Sequence, residues 1–293
     1  MRRAAASVGR ALITLGILVL LFVAYQLWGT AIYANQQQSR LRKEFAAELR
    51  KAKSTTTTTI PGVTTTTVPS PPPPPPGNAV ARIEIPKIGV DAIVVNGVDT
   101  DDLRLGPGHY PGTPLPGQLG NSAIAGHRTT YGHWFGDIDQ LTTGDQILIR
   151  TVQGFFTYHV YQQLIVDPGD VGVLAPDPGR PATITLTTCN PKYSASQRLV
   201  VKAELSNPKR ALPPPRGLPS PSKLKLDASL SGDSGSLVPT LLTGLIVALI
   251  GGLWWLAYHR HPRFPTWIVG VVPFLIALFF FYTYLERLLP ANY

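Results

Sequence analysis

The sequence is poorest in cysteine: one in 293 residues, Cys189. A lone cysteine forms no internal disulfide, so no disulfide framework supports the fold. If the domain lies outside the cytoplasm, where disulfides are favoured, the thiol is either a small buried hydrophobe or is kept reduced for chemistry. Acidic residues are also scarce, 17 against 26 Lys and Arg. The net charge of +9 would suggest a nucleic-acid partner if it were concentrated on one face. It is not. Residues 77–210 carry 11 basic and 12 acidic residues, so the excess lies in the tails and beside apolar segments. That distribution reads as membrane topology, and no nucleic-acid motif is present.

Charge is missing altogether from Ala11–Tyr33, long enough to span ~30 Å of hydrocarbon at ~1.5 Å per residue. Arg2, Arg3 and Arg10 precede it and place the N-terminus inside. A cleaved signal peptide is the competing reading, disfavoured by the length of the run and by Ile32 before Ala34. Two further apolar runs, Leu237–Tyr258 and Trp267–Leu285, flank a short basic loop, 259–266. Positive loops stay inside, so the three spans agree on one topology. Residues 1–33 are the N-terminus and first span. Residues 34–236 lie outside, and 286–293 form an external tail.

Asn35–Lys53 is rich in helix formers and reads as a helical stalk. Ser54–Pro76 has nine threonines and ends in six prolines. It cannot bury a core, and its proline run is expected to be extended. Together 34–76 form a stalk and linker. A second Pro/Ser-rich linker, 207–236, leads back to the membrane.

Between the linkers, 77–206 lacks any long helical period. Strand-like runs recur instead: Arg82–Ile85, Asp91–Val95, Ser122–Ala125, Gln146–Thr151, Phe155–Val166, Thr183–Thr188 and Leu199–Leu205. Val152-Gln153-Gly154 reads as a hairpin turn and Trp134–Leu141 as a short helix. The pattern alone predicts an all-β sandwich or barrel, which hides its strand edges.

Three segments carry chemistry. Ala123-Ile-Ala-Gly-His127-Arg128 runs a strand into a histidine. Thr185-Leu-Thr-Thr188-Cys189-Asn-Pro delivers the cysteine at a strand end. Ser196-Gln-Arg198-Leu opens the next strand with an arginine. A thiolate nucleophile, an imidazole acid/base and a guanidinium for a developing oxyanion suffice to break an amide through a thioester. Each also has a structural alternative: an inert cysteine, a solvated arginine, a structural histidine. His109, His133 and His159 compete with His127. The set His127, His133 and Asp137 fits no familiar metal-binding spacing, and neither a metal nor an organic cofactor is expected.

TLTTC at 185–189, with Arg198 nine residues on and Gly126-His127 upstream, resembles the sortase signature. The run GPGHYPGTPLPGQLGNSAIAGHRTTYGHW from Gly106 to Trp134 is similar to class E sortases of actinobacteria. The resemblance implies an all-β fold, the eight-stranded closed sortase β-barrel with short helices. It further implies Cys189 as nucleophile, His127 as acid/base and Arg198 as oxyanion or substrate stabiliser. It places Thr188 and Tyr110 in peptide binding. The implied activity is a cysteine transpeptidase that cleaves an LPxTG-like signal, Ala replacing Pro in class E, after its Thr. The implied partners are surface proteins with C-terminal sorting signals and an amine acceptor on a peptidoglycan precursor. Water as acceptor, which would make the protein an endopeptidase, and a non-catalytic tethered domain that binds wall or pilus components both remain open. The two C-terminal spans depart from a housekeeping sortase with one anchor, and the lid motif of class C sortases is absent.

Overall fold

A computed structural model describes residues 2–55, 74–215, 218, 234–260 and 264–288. Most of both linkers, the middle of the basic loop and the end of the tail lie outside the described residues. The chain divides into two compact units, one of residues 1–29 and 230–291, the other of residues 30–229 with the last two residues.

The first unit contains α1 (Arg2–Ala24), α4 (Leu237–Arg260) and α5 (Phe264–Leu288). A π-helical turn at Tyr25–Gly29 follows α1. Among the described residues, three helical segments are long and apolar enough to cross a membrane. Their apolar side chains face outward, with Leu20 70% and Val269 72% exposed, which water would not favour. Within the unit, the Tyr282 hydroxyl donates to the Leu18 carbonyl at 2.6 Å and the Tyr25 ring meets Phe279 edge-on. Pro273 lies inside α5, a position tolerated in membrane helices.

The second unit is a closed barrel of eight strands in the order β1-β2-β3-β4-β7-β8-β6-β5. The strands are β1 (Ala79–Ile85), β2 (Val90–Asn96), β3 (Gly108–His109), β4 (Gly120–Ala125), β5 (Gln146–Thr151), β6 (Gly154–Val166), β7 (Ala182–Asn190) and β8 (Gln197–Leu205). Closure is made by β1 against β5, with Ile83 opposite Ile149. All seven expected strands are present, most with one to three residues more at an end. The eighth, β3, is only two residues long and carries no periodic signal. Only Ile138–Gln140 of the expected helix 134–141 is helical, as a 3-10 turn. A four-residue helix, α3 (Thr100–Leu103), was not foreseen; the Asp102 carboxylate accepts from the Asp99 N–H at its start. Alternation fills the interior with Ile83, Ile124, Ile147, Ile149, Ile184 and Leu186, all fully buried.

The segment expected as a stalk is helical, as α2 (Thr30–Thr55), but it packs on the barrel. β2 is apolar on both faces. Ala92 and Val94 point into the barrel, and Ile93 and Val95 point out against Leu41 and Phe45 of α2. Gln38 completes the joint. Its amide donates to the Ile93 and Leu105 carbonyls at 2.9 Å each, and its oxygen accepts from the Ile93 N–H at 2.6 Å. Burying Leu41 and Phe45 contributes about 1.5–3 kcal/mol each.

Candidate active site

Three adjacent strands bring the three expected chemical residues to one end of the barrel. β4 and β7 run parallel, with Ala125 opposite Thr187. Continuing that register, His127 comes level with Cys189. On the other side, β7 and β8 are antiparallel and Cys189 is directly paired with Arg198. Two hydrogen bonds lock the junction. The Gly126 N–H donates to the Thr187 carbonyl at 3.0 Å, and the Thr188 hydroxyl donates to the Gly126 carbonyl at 2.7 Å.

Side-chain alternation along β7 sorts the neighbours. Thr185, Thr187 and Cys189 share one face, and Thr188 shares the other with Ile184 and Leu186. On the Cys189 face the Tyr110 hydroxyl lies 3.1 Å from Thr187 Oγ1. Tyr110 packs there with Val98, Leu103, Ala123 and Val200, a small apolar cluster beneath β7. Tyr110 thus stands one rung from Cys189 on its own face, whereas Thr188 is buried behind it.

Cys189 is partly exposed. Its burial raises the thiol above its ordinary range, and the guanidiniums of Arg198 and Arg128 oppose that rise. Arg198 is 5% exposed and donates through Nη1 to the carbonyls of Ala195 and Gln197 at 2.9 and 2.8 Å, so the β7–β8 turn orients it.

His127 is buried, and its Nε2 makes no hydrogen bond among the described residues. Burial, reinforced by the charge of Arg104, lowers its pKa to about 4. Tyr131 covers it, ring centroids 5.4 Å apart. Arg104 in turn lies 5.5 Å from the Tyr131 centroid. The covering loop is strained: Tyr131 (φ 46°), Gly132 (φ 83°) and His133 (φ 39°) are all left-handed. α2 holds it in place. The Tyr131 N–H donates to Thr30 Oγ1 at 3.2 Å, and the Tyr33 ring meets Tyr131 edge-on.

The other histidines have different surroundings. His109 is buried against the Pro114 carbonyl at 2.9 Å and Thr113 Oγ1 at 3.0 Å, and burial lowers it to about 4. His159 lies on β6 beside Ser206. Among the described residues, no group of three His, Cys, Asp or Glu side chains could hold a metal ion.

Sequence reasoning passed over Arg104, Arg128, Tyr131 and Asp139. Arg128 had a signal, since it directly follows the candidate histidine. Arg104 and Tyr131 had none, because loop geometry alone brings them to His127.

The description "Sortase domain" fits residues 83–206. The protein YwpE of Bacillus subtilis, named as a sortase, is 30% identical over 105 residues, which cover 36% of this chain and 89% of that one. The chain belongs to the sortase family. Sortase SrtE1 of Streptomyces coelicolor is 32% identical over 216 residues, 68% of this chain, but the match spans only 56% of SrtE1. That similarity agrees with the class E likeness of Gly106–Trp134. A solved sortase D5 transpeptidase from Clostridium perfringens is 30% identical, covers 59% of this chain and 99% of its own, and superposes with a TM-score of 0.48.

Proposed function

We propose that this sortase is a membrane-anchored cysteine transpeptidase that cleaves an LPxTG-like sorting signal, with LAxTG the preferred form, after its Thr. The observation that supports the reading is the direct pairing of Cys189 with Arg198 across β7 and β8, with His127 two residues beyond the Ala125–Thr187 pair of β4 and β7. A raised thiol and a lowered imidazole leave both neutral near pH 7. His127 therefore acts as the base. As Cys189 Sγ attacks the Thr carbonyl carbon, His127 takes the thiol proton. Arg198 faces the developing oxyanion. The C–N bond to the following residue breaks, and His127 returns the proton to the departing amine. The Thr acyl group is then a thioester on Cys189. An amine of a cell-wall precursor attacks it, yields its proton to His127 and regenerates the thiol.

His127 Nε2 is buried under Tyr131, so substrate entry must shift the 131–133 loop to let the imidazole reach the sulfur. Tyr110 and the apolar cluster around it floor the groove for the peptide. Thr188, turned to the other face, serves to clamp β7 to Gly126. In the membrane arrangement that accompanies this reading, the N-terminus and the 259–266 loop are cytoplasmic and the barrel is outside. The substrates are surface proteins with C-terminal sorting signals, and the acceptor is an amine of a wall precursor, both on that side.

The test is cleavage of fluorogenic LAxTG and LPxTG peptides by the full chain in detergent, with and without an amine, beside Cys189→Ala. Amine-dependent product that vanishes in the variant supports transpeptidation. Cleavage that ignores the amine makes the protein an endopeptidase. No cleavage of either peptide contradicts the proposed specificity.

A further inference from the structure

Arg128, the residue after His127, is nearly as buried as Arg198, at 6% exposed. Its Nη1 donates to the Cys189 carbonyl at 3.1 Å and to Asn190 Oδ1 at 2.8 Å. Its Nη2 lies 3.1 Å from Asp139 Oδ2 on the Ile138–Gln140 turn. Its Nε is buried and makes no hydrogen bond among the described residues. A buried cation is costly unless paired, and here the pairing is incomplete: the one carboxylate on it among the described residues, Asp139, is half exposed to water. Such an arrangement is a poor way to gain stability. It does place a charge that is only partly compensated, on a rigid planar fork, against the backbone of the cysteine. A guanidinium holds these three acceptors on two segments from one rigid plane, a geometry that the compact ammonium of lysine does not impose.

We propose that Arg128 is a positioning residue of the reaction: held by Asp139, it fixes the Cys189 end of β7 and adds a second positive charge, beside Arg198, that favours the thiolate. This rests on Cys189 being the nucleophile. The charged and titratable groups around that thiol come from three elements. They are Arg198 on β8, His127 and Arg128 after β4, and Asp139 behind Arg128. The Lys192–Asp137 pair bridges the β7–β8 turn nearby. Of these, Arg198 and Arg128 act on the thiol in the direction of ionisation.

The test is the pH dependence of Cys189 alkylation by iodoacetamide in the full chain in detergent, with peptide cleavage followed in parallel. A clasp that merely holds the loop would change the plateau rate or the melting temperature and leave the midpoint in place. The proposal expects Arg128→Gln to move the midpoint to higher pH and to slow alkylation at pH 7 about three- to ten-fold. Arg128→Lys should keep the midpoint near that of the native chain while cleavage stays impaired. Asp139→Asn, by removing the countercharge, should move the midpoint to lower pH. If Arg128→Gln fails to fold, Asp139→Asn decides alone, because its side chain is half exposed. Midpoints unmoved in the folded variants overturn the proposal. If the native chain cleaves neither peptide, the proposed specificity fails, and the midpoints still decide the action of Arg128 on the thiol.

Discussion

Ala125, the last residue of β4, lies directly opposite Thr187 of β7 in a parallel pair; Cys189 stands two residues further along β7, and His127 two residues beyond the end of β4. The juxtaposition is therefore a consequence of backbone register, which any one-residue slip would destroy. Gly126 sits between the paired residues and the histidine. A Cβ there would fall 2.6 Å from the Phe135 ring, and the Phe135 N–H donates to the His127 carbonyl at 3.1 Å.

Gly126→Ala should therefore push Phe135 and displace the histidine. The expected outcome is a loss of about 1–3 kcal/mol in stability and a fall in peptide cleavage well beyond what the lower melting temperature explains. Cleavage and thermal unfolding measured on the same preparation check it. Native activity in the variant would show that the rung tolerates movement.

Arg198 is oriented by the Ala195 and Gln197 carbonyls before any substrate arrives. Replacing it by Gln should lower kcat about 10²- to 10³-fold, the range for loss of one oxyanion donor. KM should change far less. Steady-state kinetics on the preferred peptide separate the two, and a change confined to KM would reassign Arg198 to substrate binding.

Burial holds His127 and His109 neutral, each near a pKa of about 4 against about 6.5 when unfolded. The folded value is the lower one, so the unfolded chain binds more protons between them. Stability is then complete above about pH 6.5 and declines as pH falls toward 4, by up to about 3 kcal/mol per histidine. Unfolding of the full chain followed from pH 7.5 to 4.5 should show this slope, and His109→Gln should flatten it. A profile that is flat in the native chain contradicts the buried, neutral histidines.

The packing of α2 moves the start of the folded domain from Gly77 to Thr30. A fragment that begins at Gly77 exposes Ile93 and Val95 and loses the three hydrogen bonds of Gln38. In the full chain, Phe45→Ala should cost about 3–5 kcal/mol, read as a lower melting temperature. Equal stability of Phe45→Ala and the native chain would return α2 to the role of a stalk.

Much of this architecture was legible from the chain. The β6, β7 and β8 runs alternate plainly, and TLTTC with its downstream arginine marks the strand pair that holds Cys189. What escaped was set by tertiary contact. β3 pairs through only two residues, too few for a period to register. The role of α2 did leave a trace: Asp91–Val95 is apolar on both faces, which calls for a covering element outside the barrel. Tyr131 and Arg104 reach His127 through loops whose left-handed turns and four-residue helix carry no repeating pattern.

The central claim is that Cys189 carries the peptide as a thioester. Intact-mass measurement of the full chain, quenched in acid seconds after mixing with an LAxTG peptide and no amine, tests it most directly. The account predicts an added mass equal to the peptide up to its Thr. That mass should map to the Cys189 fragment, disappear when an amine is supplied and be absent in Cys189→Ala. Cleavage of the peptide with no such adduct, or with cleavage intact in Cys189→Ala, would contradict it.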